Sequence, residues 1–167
     1  MSGDFTLEDR FKLLCAINRA AHFEWRKVAL AAAPDIDPLE LVRSYWIEVG
    51  HDTAKAYLKM IDREKPLAQQ IASLAMKSSL AMGETASVQP GDEDGVFLMV
   101  HTACPWNEWH RRFGLQAEDR PGCDQWMQTI AEDLSEALGV KVCVQTVGTT
   151  LPEGGETCTR RFWVEKG

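Results

Sequence analysis

The sequence predicts an α+β fold, a helical first half followed by a small antiparallel sheet with helices packed on one side. Three observations predict it. Residues 1–84 repeat their apolar positions at a helical period between clear helix start signals. GVFLMVHTA is a nearly continuous apolar run, as expected of a strand with both faces covered. VKVCVQTV and TCTRRFWVE then flank the turn LPEGGE, as the arms of a hairpin would.

Thr6 is placed to cap a first helix. Leu7, Phe11, Leu14, Cys15, Asn18, Ala21, His22 and Trp25 form its predicted inner face. Pro34 disfavours helical geometry in Ala33 and should end it. Asp37-Pro38-Leu39-Glu40 starts the next helix, since Asp caps, Pro suits the first helical position and Glu40 completes a capping-box pattern. Leu41, Val42, Tyr45, Trp46 and Val49 face inward, and Gly50 is expected to break or kink the helix before a continuation from Asp52. Pro66 opens a third helix that Gly83 stops.

Ala86 to Gln89 is a short strand, and Gly91 to Gly95 a turn. Gly95 to Ala103 is the long strand. Pro105 starts a short helix through Phe113, with His110 on a half-exposed face. Arg120-Pro121-Gly122 is read as a chain reset, followed by an amphipathic helix from Cys123 to Leu138. Trp126, Met127, Ile130, Leu134 and Leu138 line its inner side. Helices and strands need each other's apolar faces, so residues 1–167 are read as one domain, with a helical part over 1–84 and a mixed part over 85–167.

Composition narrows the function. The chain has 167 residues, 45% apolar and 26% charged, with a net charge of -7. An acidic chain without a basic run is not built for nucleic acid or an anionic membrane surface. MSGDFTLEDRF lacks the basic and apolar regions of a signal peptide, and no stretch approaches the ~18 apolar residues of a membrane span. The expected location is cytoplasmic. The five cysteines contain no C-x-x-C pair, and an odd count without a secretion signal points to reduced thiols.

Dinucleotide, P-loop, serine-hydrolase and zinc-protease motifs are all missing. What remains is a set of thiols at element boundaries. Cys104 stands where a strand becomes a helix, Cys123 at the expected start of the next helix, and Cys158 early in the last strand. Free N–H groups at a helix start stabilise a thiolate, so the first two suit a nucleophile or metal ligand. Free cysteine is equally an ordinary core residue. His101 lies three residues before Cys104, and a bend before Pro105 would bring the two together. Trp106 and Trp126 are core residues or pocket walls. Of the pair Arg160 and Arg161, one turning inward would grip a carboxylate. His22 and His51 are read as structural.

The layout Cys104-Pro105, Cys123-Asp124 and Gly155-Glu156-Thr157-Cys158 resembles the L-2-amino-thiazoline-4-carboxylic acid hydrolase-like family, mainly over residues 95–165. The ending is also similar to vinyl-reductase-type small-molecule-binding domains, although the tightly spaced cysteine pair expected there is missing. The first resemblance implies hydrolysis of a cyclic C–N bond in a small amino-thiazoline carboxylate. That chemistry calls for an acid/base (His101 or Asp124), a nucleophile or water-orienting thiol (Cys104 or Cys123) and a carboxylate anchor (Arg160 or Arg161). Trp106, Trp126 and Cys158 complete the expected binding set. The second resemblance implies a non-catalytic sensor or carrier. No cofactor is predicted. A structural zinc enters as an option of that second reading, and again in a third, in which Cys104, Cys123, Cys158 and His101 are four ligands of a structural site. The expected partner is a small molecule, with a homo-oligomer left open.

Overall fold

A computed structural model describes residues 5–165. The chain runs α1 (Leu7–Ala32), α2 (Pro38–Leu58), α3 (Leu67–Ala81), β1 (Thr85–Pro90), β2 (Phe97–Ala103), α4 (Pro105–Phe113), α5 (Gln116–Leu138), β3 (Lys141–Val147) and β4 (Cys158–Glu165). The fold is α+β, and the four strands form one antiparallel sheet in the order β1-β2-β4-β3. β3 and β4 are the expected hairpin, and β4 inserts beside β2 with Cys158 opposite His101.

Alternation along the strands sends one set of side chains to a core. Met99 of β2, Val142 of β3 and Phe162 of β4 pack against Ile71, Leu74 and Ala75 of α3 and Met127, Ile130 and Leu134 of α5. Leu134 and Met99 are fully buried, and side chains of this kind stabilise by roughly 1.5–3 kcal/mol each. On the opposite face Leu98 and Val100 stay only half-buried, and Arg161 lies over the Trp163 ring at 4.9 Å while reaching Glu93 at 2.7 Å. The apolar run of β2 is therefore tightly covered on one face, not on both.

Caps fix the helix starts. Thr6 and Asp9 form a capping box at α1, and Asp37 accepts from the N–H groups of Leu39 and Glu40 at α2. Two glycines behave differently from expectation. Gly50 does not break α2, which is continuous. Its missing side chain lets α2 lie against α5, since a Cβ there would sit 2.7 Å from Thr129 Cβ. Likewise Gly122 does not follow a reset. α5 begins at Gln116 and passes through Pro121 in its second turn, where the helix continues without the one bond that Pro121 cannot donate to the Ala117 carbonyl. A Cβ on Gly122 would sit 2.7 Å from the Trp46 ring.

α1 departs most from its predicted orientation. Its buried residues are Cys15, Arg19, His22 and Phe23, whereas Leu7, Phe11, Leu14 and Trp25 of the expected inner face are exposed. The helix is fastened by polar contacts and aromatic rings. Arg19 donates to the Met82 carbonyl at 2.7 Å, Arg26 forks onto buried Glu118, and Phe23 stacks on Trp109 and Phe113. No described helix is long and apolar enough to cross a membrane.

Candidate functional site

Side chains from all five helices border a cavity of about 420 Å³ beside the C-terminal end of β2. α2 contributes Tyr45, Trp46 and Val49, α4 contributes Trp106 and α5 contributes Trp126 and Met127, which together wall one part with rings and a thioether. The rings hold each other. Trp46 meets Tyr45 and Trp106 edge-on at 5.2 and 5.9 Å between centroids, and Trp126 donates its indole N–H to Thr53 Oγ1 at 3.1 Å. Behind them His22 sits among Phe23, Tyr45, Trp46 and Trp106. Burial there holds its imidazole neutral, lowering its pKa to about 4.

The other part is polar. Glu84, in the link between α3 and β1, places Oε2 3.0 Å from His101 Nε2, and Ser79 Oγ lies 2.9 Å from the same nitrogen. A carboxylate at that distance favours the hydrogen on Nε2, which leaves Nδ1 a lone pair. His101 Nδ1 is buried without a partner. His110 Nδ1 lies 2.9 Å from the Trp106 carbonyl, which can only accept, and 3.6 Å from Asp119 Oδ1. Asp119 Oδ2 is buried without a partner. Burial raises the Asp119 pKa, opposed by His110 and Arg160 and reinforced by Glu84.

Cys104 and Cys123 line the same cavity. Cys104 is the N-cap of α4, as expected. Its thiol is nevertheless pushed up, first by burial and then by the charge of Glu84, against a bond from the Asn107 N–H. Cys123 is not at a helix start. α5 began two turns earlier, so the neighbouring N–H groups are spent inside the helix, and burial raises its thiol from 9.0 to about 12 although Arg160 opposes it. Both thiols rest protonated.

The predicted site residues thus divide. His101, Cys104, Cys123, Trp106 and Trp126 reach one cavity. Asp124, Arg160, Arg161 and Cys158 are not among its lining residues. Arg160 is the inward member of its pair, but the carboxylate it holds belongs to the protein. It donates to Asp124 Oδ1 at 3.1 Å, an oxygen that also accepts from Thr146 at 2.6 Å. Asp124 lies beside a second, shallow hollow with Arg43, Arg120 and Gln128. Arg161 points to the outer sheet face, and the Cys158 sulfur accepts from the Leu151 N–H at 3.2 Å. The four-ligand zinc arrangement does not assemble, because Cys158 is tied to that loop. Among the described residues no three His, Cys, Asp or Glu side chains converge as metal ligands would. His110 is buried, contrary to its predicted half-exposed position, and His51 is tied to Asp133 at 2.7 Å.

Glu84, Asp119 and Ser79 escaped the sequence reading. Their signal was weak, since two stand in stretches that look like solvated loop or helix surface. Only Glu84, directly after the Gly83 stop and before a strand, had a position that could have drawn notice.

No protein-family model matches the sequence, and no curated protein matches it. A solved structure does match the fold. It is the crystal structure of a trafficking protein particle complex subunit 3 from Naegleria fowleri covalently bound to palmitic acid. The two share 15% identity at a TM-score of 0.56, over 93% of this chain and 97% of that one. The likeness is one of fold.

Proposed function

We propose that the protein binds a small, mainly apolar molecule in the cavity at the end of β2. The observation that carries this reading is the cavity itself, about 420 Å³ walled by Tyr45, Trp46, Trp106 and Trp126. Ligand sites are typically concave and mostly apolar with a few placed polar groups. The structural neighbour's palmitic acid supports an apolar guest in this kind of fold. Tryptophan fluorescence titrated with 4-phenylbutanol tests it. Saturable quenching that Val49→Phe abolishes, by filling the cavity, supports the reading. Quenching that is unsaturable, or unchanged in that variant, overturns it.

The His101–Glu84 contact in the same cavity favours a second reading, hydrolysis of a cyclic C–N bond as in L-2-amino-thiazoline-4-carboxylate. His101 Nδ1 would take a proton from water attacking C2 of the ring, Glu84 would steady the resulting imidazolium, and the imidazolium would return that proton to the ring nitrogen as its bond to C2 breaks, leaving a carbamoyl-cysteine. The protonated thiols would serve as hydrogen-bond donors. No arginine among the described lining residues would anchor the carboxylate, which is why binding comes first. NMR of the compound incubated with the protein decides. Ring opening lost in His101→Ala supports hydrolysis, and no ring opening above buffer removes it.

For partners, we propose a second copy of this chain seated on α1. Leu7, Phe11, Leu13, Leu14, Ile17, Trp25 and Val28 are each 43–81% exposed along that helix. Their combined surface is of the order of the ~800 Å² that each member contributes to a stable complex. Two identical stripes make a self-complementary interface.

A further inference from the structure

We propose that the cavity selects ligands carrying a cationic N–H-bearing head group, such as an amine or amidine, on an apolar body, and that it discriminates against carboxylates. This inference rests on the reading of the cavity as a ligand site and names the chemistry of its ligand.

Three observations converge. The first is hydrogen bonding. Asp119 and His101 line the cavity, and Asp119 Oδ2 and His101 Nδ1 are buried with no partner. Both are acceptors in the arrangement described, and buried polar groups are almost always satisfied. A head group with two or more N–H donors answers both.

The second is charge. Glu84 and Asp119 bring two carboxyl groups to the lining, while none of the described lining residues is lysine or arginine. Two guanidinium groups lie outside the lining, Arg160 donating to Asp124 and Arg19 to the Met82 carbonyl; each keeps a buried Nε without a partner, and the Arg160 charge offsets part of that of Asp119. Besides the thiols, the remaining titratable lining groups are the Tyr45 phenol, which burial holds protonated, and His101 and His110, each of which stands beside one of these carboxyls. A carboxylate ligand would lose its hydration and meet like charge. A cation would be compensated by Asp119, and its presence would favour the ionised form of that acid.

The third is the wall. Tyr45, Trp46, Trp106 and Trp126 border the cavity, and an aromatic ring attracts a cation through its face, an attraction aliphatic walls would not supply.

The test is calorimetric titration of the purified protein at pH 7.5 with three probes of one shape, 4-phenylbutylamine, 4-phenylbutanol and 4-phenylbutyrate. The expected order is amine first, at least tenfold tighter than butyrate. Asp119→Asn should weaken the amine at least fivefold and leave the alcohol within twofold. Butyrate binding as tightly as the amine, or amine affinity unchanged in the variant, overturns the inference while binding of the alcohol preserves the cavity reading. Binding of none of the three overturns both. The ranking in the unmodified protein decides even if the variant does not fold.

Discussion

Alkylation of Cys123 by iodoacetamide separates a resting thiol from an activated one. Burial moves this thiol from 9.0 to about 12, which lowers its thiolate fraction at neutral pH about 1,000-fold. A more basic thiolate is intrinsically the better nucleophile, recovering a factor of ~20. The net suppression is then ~50-fold relative to the same cysteine in the urea-unfolded chain, before any steric shielding. Peptide mass spectrometry over a time course reads the rate at Cys123, and Cys104 in the same digest should be suppressed as well. The pH profile carries more information than the rate. The unfolded control should level off near pH 9, whereas the folded rate should keep rising about tenfold per pH unit. Fast alkylation that levels off near pH 7 would refute the argument. It would mean that the cavity activates a thiolate, and the nucleophile role would pass to that cysteine.

Four further outcomes follow from the packing. Gly50→Ala drives a methyl into Thr129 and should cost about 1–3 kcal/mol in urea unfolding, whereas an exposed Gly→Ala change within a helix stabilises. Arg26→Met leaves Glu118 buried and unpaired and should cost about 3–5 kcal/mol, most of it restored when Glu118 also becomes Met. His22 is neutral when folded down to a pKa of about 4 but protonates near 6.5 when unfolded. The unfolded chain therefore binds the extra proton between those values, so stability is lost as pH falls through that window, by about 2–3 kcal/mol at pH 4.5. Urea unfolding of His22→Gln should show a shallower loss between pH 7 and 4.5, and an equal slope would assign the effect to other groups. Light scattering should give twice the chain mass for the unmodified protein and one chain mass for Leu14→Glu. A monomer in both would leave the α1 stripe uncovered.

Much of the fold was legible because its signals are local. Thr6, Asp37 and Pro105 mark helix starts through the next few residues, and Val142 and Val144 show their strand by alternation. The misreadings all involve residues whose partners lie far along the chain. Gly50 and Gly122 look like breaks, yet each exists to admit a distant side chain, Thr129 in one case and Trp46 in the other. Leu7, Phe11 and Leu14 have a helical period that cannot say which of two faces meets the core. At the site, His101 and Cys104 were visible as reactive residues at a strand end. Asp119 was not, because a carboxyl in an acidic helix start looks solvated until His110 and the cavity close over it. Arg160 and Asp124 were noticed, but they bond to each other, which the β4 register reveals.

The attachment of α1 also has a consequence for synthesis on the ribosome. Arg19 finds its acceptor 63 residues later, at Met82, and Arg26 finds Glu118 after 92. At roughly 5–20 residues per second, α1 emerges and then waits on the order of 5–20 s for its last tether to be translated. Its partners arrive in stages over that wait, and its outward apolar stripe lies open throughout, with the Thr6–Asp9 cap and the Glu8–Lys12 pair holding the helix start. A nascent chain stalled before Glu118 should therefore present α1 to whatever chaperone binds exposed apolar helices.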